Sequence, residues 1–268
     1  MSKPKVLVFD IETSPIIAHV WSIWEQNVGL NQIQSDWHVM AWAAKWFTGK
    51  DGTVYGPHDR MMYMDQRKVK NKEDDSKLLA GIWQLLDQAD IIITQNGDSF
   101  DVKRLNARFI LNGMKPPSSY RSIDTKKIAK RKFGFTSNRL EYMTHKLNKK
   151  YKKLKHAKFQ GHELWTECLK DNKEAWNEME QYNKYDVLSL EELYINFQPW
   201  DNTVNFNVYS ERLENVCKCG SKSVKLNGHS FLSSGKYRRY KCTDCGAESR
   251  GRENLLCKEK RASLRIGK

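Results

Sequence analysis

Lys5-Val-Leu-Val-Phe-Asp10-Ile-Glu12-Thr13 is the stretch from which the fold can be read. The apolar run Val6–Phe9 predicts a buried strand that ends in an acid. Asp10 and Glu12 are two apart, so on a strand both side chains project to one face. Two carboxylates at the mouth of an apolar strand repel each other, and the pair makes sense with a divalent cation between them. Taken alone, Asp-x-Glu is a common triplet that a solvated loop explains as well.

Outward from this strand, residues 17–24 and 38–47 are aromatic and β-branched and read as two more strands. Thr48-Gly-Lys-Asp-Gly52 is a turn closing a hairpin onto Thr53–Tyr55. Leu78, Leu79, Ile82, Trp83, Leu85 and Leu86 recur at helical spacing over residues 76–88, and Ile91–Thr94 is a short apolar strand. Residues 100–111 return to helical spacing until Asn112-Gly113 and Pro116-Pro117 break it. Asn138 is placed to cap a helix over 139–147, and residues 163–170 and 173–197 read as helices. Strands followed by alternating helix and strand predict an α/β domain with a mixed sheet. Pro199-Trp200-Asp201-Asn202 marks its end.

Two further acidic stretches follow. Asn96-Gly97-Asp98-Ser99-Phe100-Asp101 leaves a strand and opens a helix, which aims Asp101 from near a helix N-terminus while Asp98 or Ser99 caps it. Tyr182-Asn-Lys-Tyr-Asp186 sets Tyr182 and Asp186 four apart on one helix face, beside the apolar side of Val187, Leu190, Leu193 and Tyr194. Each has a bland reading, a cap in one case and a surface acid in the other.

In this order the three stretches resemble the DEDD exonuclease superfamily over roughly residues 4–200. They are most similar to its tyrosine subgroup, which includes the proofreading domains of family B DNA polymerases. The sister subgroup carries a histidine five positions before the last acid, where this chain has Gln181. The resemblance implies a ribonuclease-H-like fold: a mixed β-sheet flanked by helices. It implies that Asp10, Glu12 and Asp186 hold one Mg²⁺ or Mn²⁺, and Asp10 and Asp101 a second. One ion would activate the attacking water and the other stabilise the leaving 3′ oxygen. Tyr182 would orient that water, and Asn96 and Phe100 would position the 3′-terminal nucleotide. The implied activity is 3′→5′ hydrolysis of single-stranded DNA ends to nucleoside 5′-monophosphates. An exoribonuclease and a non-catalytic nucleic-acid-binding protein on a nuclease scaffold are the alternatives left open. Asp124, in Ser-Ile-Asp-Thr, reads as a supporting residue rather than a ligand.

The cysteines are organised differently. Cys217-Lys-Cys219-Gly and Cys242-Thr-Asp-Cys245-Gly bracket a hairpin-forming insert and look like a zinc ribbon with one structural Zn²⁺. The first pair departs from the usual Cys-x-x-Cys spacing, and His229, a possible substitute ligand, is read as a hairpin residue instead. Lys236-Tyr-Arg-Arg-Tyr-Lys241 interleaves cations with rings, which suits phosphate contact and base stacking and makes Arg238, Arg239 and Lys241 candidate substrate contacts. Docking on a protein partner, with Tyr237 and Tyr240 packing the ribbon's own small core, is the other reading.

The 268 residues accommodate one sizeable core and a small second unit. The expected division is a nuclease domain over 1–200, a linker over 201–214, the ribbon over 215–252 and a basic tail over 253–268, of which 258–268 reads as disordered. A formal charge of +14 attracts polyanions, nucleic acid foremost. Residues 201–268 carry 15 Lys and Arg against 7 Asp and Glu, so the C-terminal part is the more densely positive. The Lys run at 146, 149, 150, 152, 153, 155 and 158 reads equally as a solvated face or as nucleic-acid contact. With no membrane-length apolar run and no signal peptide at the start, a cytoplasmic protein with no membrane partner is expected.

Overall fold

The computed structural model describes residues 3–154, 157–209 and 216–265, and the chain divides into two compact units, Pro4–Asn196 and the segment from Phe197 onward. Lys155, the end of the expected linker (210–214), residue 215 of the ribbon and residues 266–268 of the tail lie outside the described residues.

The first unit opens with β1 (Val6–Thr13), β2 (Ile17–Ala18), β3 (Ile33–Ser35), β4 (Val39–Trp46) and β5 (Met62–Asp65). It continues through α1 (Ser76–Gln88), β6 (Ile91–Thr94), α2 (Asp101–Leu111), β7 (Arg121–Asp124) and α3 (Thr125–Lys132). Three helices complete it: α4 (Leu140–Leu147), α5 (Glu163–Leu169) and the long α6 (Lys173–Phe197). Five strands form a mixed sheet in the order β5-β4-β1-β6-β7. β1, β4 and β5 run antiparallel, whereas β1, β6 and β7 run parallel.

β1 and β4 are central strands covered on both faces, which is why their apolar runs are nearly unbroken. Leu7, Phe9 and Ile11 pack with Leu78, Leu79, Ile82 and Leu86 of α1 and Leu105 and Phe109 of α2. On the opposite face Met40 and Ala41 pack with Leu164 and Cys168 of α5 and Ala175, Trp176 and Met179 of α6. Strand alternation therefore turns Asp10 and Glu12 away from the α1/α2 core and toward α6.

The structure corrects several expectations. The strand expected over 17–24 is confined to Ile17–Ala18, paired with β3. β-propensity reports a fit to a half-buried pleated surface, and beyond Ala18 there is no such surface. Ser22 Oγ takes the Trp24 amide at 3.2 Å, and Glu25, with φ of 50°, turns the chain away. Neither Asp98 nor Ser99 caps α2: Phe100 holds that position, while Asp98 pairs with Lys127 at 2.6 Å and accepts from Ser122. Asn138 does not cap α4 either. Arg139 precedes the helix, and the Asn138 carbonyl takes the Gln95 side-chain amide at 3.0 Å.

The second unit contains β8 (Val224–Leu232), β9 (Gly235–Cys242) and β10 (Glu248–Arg250), an antiparallel sheet in the order β10-β9-β8, and α7 (Lys258–Ser263). The disorder expected from residue 258 is thus corrected over 258–265. The Leu255 amide donates to the Lys236 carbonyl at 2.7 Å, and Cys257 Sγ caps α7 through the Lys260 amide at 3.4 Å.

Candidate active site

β6 pairs with β1 only as far as Val8, then ends at Thr94 and turns into α2. Asn96 adopts the left-handed backbone, φ 67°, which Asn tolerates better than most residues. At Gly97 an added Cβ would stand 2.2 Å from the Thr94 hydroxyl, so the turn admits glycine alone. Asp124, the N-cap of α3, holds this turn from the next strand by accepting the Asn96 amide at 3.0 Å, as well as those of Lys126 and Lys127. Its place is the supporting one. Past the last β6 pairing, the Ile11 amide donates to Asp101 Oδ1 at 3.3 Å. Asp101 thus stands where the parallel strand would have continued, and it is buried, 3% exposed.

From the other side α6 brings Tyr182 and Asp186, also buried, to the same end of β1. One carboxylate oxygen from each of Asp10, Glu12 and Asp186 lies within 4.8 Å of the others. Asp101 stands outside this group of three, but its charge is felt there. Burial, then the charges of Asp101, Asp186 and Glu12, push the Asp10 carboxyl well above the usual range. Burial pushes Glu12 to about 8, with Lys153 opposing, and Asp101 to about 7, with its backbone hydrogen bonds opposing.

Three neighbours escaped the sequence reading. Asn183, fully buried, donates Nδ2 to Asp10 Oδ2 at 2.7 Å. Trp165 donates Nε1 to Glu12 Oε2 at 3.1 Å and meets the Tyr182 ring edge-on, centroids 6.2 Å apart. Lys153 reaches in from the Lys run, pairs with Asp186 and lies 4.2 Å from the centroid of the Tyr182 ring. Burial draws its ammonium down, but Asp186 above all outweighs this and holds the charge. The Tyr182 phenol, raised to about 12 by burial, stays protonated and can donate. The signals for Asn183 and Lys153 were present in the sequence: an amide on the α6 face that carries Tyr182 and Asp186, and a lysine in the densest cationic run.

Beside the acids lies a cavity of about 500 Å³ lined by Asn96, Lys126, Lys130, Asn138, Arg139 and Lys153, among others. Phe100 stands at the start of α2, 37% exposed. The Arg104 guanidinium lies 5.3 Å from its ring and 4.1 Å from that of Trp37.

In the second unit the four paired cysteines converge. Cys217 and Cys245 Sγ are 3.6 Å apart, Cys219 and Cys242 Sγ 4.0 Å, and all four lie within 4.8 Å of one another. A tetrahedron with centre-to-sulfur bonds of about 2.3 Å has edges of about 3.8 Å, so the sulfurs fit one zinc ion. His229 pairs with Arg238 in the β8–β9 hairpin. The three cations expected to act together do not share a face. Arg238 alternates with Arg239, which donates to the Asn227 carbonyl at 2.8 Å, and Lys241 lies on the Arg239 side. Tyr237 packs on Gly235 beneath the Arg250 guanidinium, 4.4 Å from its ring, and so serves the ribbon's own packing.

A search of curated proteins returned no match. Among solved structures, the family B DNA polymerase from the hyperthermophilic archaeon Pyrobaculum calidifontis aligns with a TM-score of 0.48 at 12% identity. The alignment covers 85% of this chain and 31% of the polymerase chain. No helix among the described residues is long and apolar enough to cross a membrane. A family model described as RNase_H superfamily matches residues 52–198, from ahead of β5 to the end of α6. That match takes in Asp101, Tyr182 and Asp186 and more than half the chain, and on it the chain belongs to the RNase H superfamily.

Proposed function

We propose that the protein is a metal-dependent 3′→5′ exonuclease that hydrolyses single-stranded DNA ends and releases nucleoside 5′-monophosphates. The carrying observation is the convergence of Asp10, Glu12 and Asp186 at one strand end beside a cavity lined by cations. Three oxygen donors without histidine suit Mg²⁺ or Mn²⁺, and the upward-shifted carboxyls of Asp10 and Glu12 mark a place short of positive charge. Asp10, Glu12 and Asp186 would hold one ion, with Asp101 and Asp10 serving a second. Bound there, divalent cations supply Lewis acidity at the scissile phosphate.

The chain's own residues do the rest. Lys126, Lys130 and Arg139 draw in the phosphate backbone, and Lys153 stands where that cavity meets the acids. Tyr182 offers its hydroxyl to orient the attacking water, its ring held by Trp165. Asn183 and Trp165 fix the oxygens of Asp10 and Glu12. Phe100 stacks on the terminal base, beside Asn96. The polarity and the preference for DNA rest on the motif resemblance. The nuclease domain ends near residue 200, and a zinc ribbon over 215–252 follows it.

The test uses single-stranded DNA and RNA labelled at the 5′ or the 3′ end, with Mg²⁺ or Mn²⁺ and an Asp10→Ala control. A descending ladder from 5′-labelled DNA, absent in the control, is expected. A ladder from RNA alone would reassign the substrate, and binding without cleavage would leave a non-catalytic scaffold.

A further inference from the structure

The loop between β2 and β3 is an arm that the site described above does not use. It leaves β1 directly after Glu12 and Thr13, and its base is closed by the pairs Ile17↔Ser35 and Ala18↔Ile33. Gln32 ties it across, donating its side-chain amide to the His19 carbonyl at 2.9 Å and accepting the Gly29 amide at 2.7 Å. Its tip is the most exposed apolar surface among the described residues. Trp21 is 97% exposed, Leu30 88%, Ile23 84% and Trp24 77%. Isolated exposed apolar residues are ordinary, but four on one tied loop mark an interaction surface.

The arm's chemistry narrows the partner. Residues 16–35 contain no Lys or Arg and one acid, Glu25, in a chain with 46 Lys and Arg. A surface built to grip phosphates would carry cations, as the cavity beside the acids does. The arm instead presents indoles together with the exposed amides of Asn27, Asn31 and Gln34. Flat rings and neutral amides match nucleobases, which have a π face and hydrogen-bonding edges but no charge. The chain also continues from the arm to Trp37, which Arg104 links to Phe100 at the start of α2. We infer that the arm is a base-stacking platform: Trp21 and Trp24 hold unpaired bases of the single strand whose 3′ end lies at the acids. This rests on the exonuclease reading, and it divides the labour, with cations holding the backbone and the arm holding bases.

The test titrates the full chain, in an Asp10→Asn background that retains the strand intact, with oligothymidylate and oligouridylate, following tryptophan emission. Quenching on saturation is expected, and Trp21→Ala/Trp24→Ala in the same background should lose most of it and bind about tenfold or more weakly. Unchanged thermal unfolding of the double variant would show that the loss is not one of fold. Unaltered affinity in the double variant overturns the platform, whether or not the parent protein cleaves DNA. Sedimentation without nucleic acid separates the other occupant: a dimer that the double variant dissociates, with affinity intact, assigns the arm to a second copy of the chain and also overturns it. Binding that depends on the tryptophans in a protein that cleaves nothing would sink the exonuclease reading alone.

Discussion

Asn183 Nδ2 stands 2.7 Å from Asp10 Oδ2, joining α6 to the first acid of β1 across a sequence separation of 173 residues. Asn183 follows Tyr182 and precedes Asp186 by three, so one face of α6 delivers a hydroxyl, an amide and a carboxylate to the same place. The amide neither carries charge nor contacts solvent; it fixes one of the Asp10 oxygens and so restrains the orientation of the carboxylate. Asn183→Ala is therefore expected to cut turnover about ten- to a hundredfold, with the helical content of the protein retained. The cost should lie in metal affinity or kcat rather than in KM for DNA. A variant whose metal titration and kcat match the parent would remove Asn183 from the site.

Lys153 neutralises Asp186 where three other carboxylates crowd. Removing the ammonium leaves a buried acid cluster with less positive charge. Lys153→Ala should thus unfold at lower temperature than the parent when chelated, and regain much of the difference in excess Mn²⁺. With metal present its hydrolysis should still be slower, roughly a hundredfold, because a cation is missing where charge develops on the phosphate. Lys153→Arg should recover part of the rate. An alanine variant as fast as the parent would make the lysine a stabilising partner only.

Acidity offers a test that needs no substrate. Glu12 is held up at about 8, Asp101 at about 7, and Asp10 above its ordinary value. Between the ordinary carboxylate range and these values the folded chain binds protons that the unfolded chain has released. Stability therefore falls as pH rises through that window. This is the reverse of an ion-paired acid, whose contribution is lost on acidification. In chelated protein the unfolding temperature should decline from about pH 5 to about pH 8, and Glu12→Gln should flatten part of the decline. Mg²⁺ or Mn²⁺ should restore stability most at the alkaline end, where the acids are ionised. A flat profile without metal would mean that burial does not hold these acids protonated.

How much could be read beforehand follows from the range of the interactions. β1, β4, α1, α2 and α6 were legible because their apolar period is set by the core they face, and Asp10, Glu12, Asp101, Tyr182 and Asp186 ride on those elements. β5 and β7, four residues each, are too short to show a period, and they exist because β4 and β6 offer them an open edge. Residues 17–24 read as a strand because Val20, Trp21, Ile23 and Trp24 fit a pleat that the fold does not provide. Arg238, Arg239 and Lys241 were grouped by adjacency, whereas a strand sends neighbours to opposite faces. Asn183 and Lys153 needed tertiary contacts before either could be tied to an acid.

The four ribbon sulfurs make the last expectation the most direct. Zinc would be bound by thiolates, and sulfurs this close cannot all ionise without it. Hydrogen bonding from Cys219 holds Cys217 down at about 5, and Cys219 itself is pushed up. Protein purified without chelator should contain one zinc per chain. Its thiols should then fall into three classes toward a water-soluble thiol reagent. Cys257 is exposed and should react at once. Cys217, Cys219, Cys242 and Cys245 should react only after chelation, as β8, β9 and β10 come apart, because so small a unit has little core beyond those cysteines and a few apolar neighbours. Cys168, enclosed between α5, α6 and β4, should stay silent until the first unit unfolds. If the four ribbon cysteines react as fast as Cys257 before any chelator is added, no metal holds them.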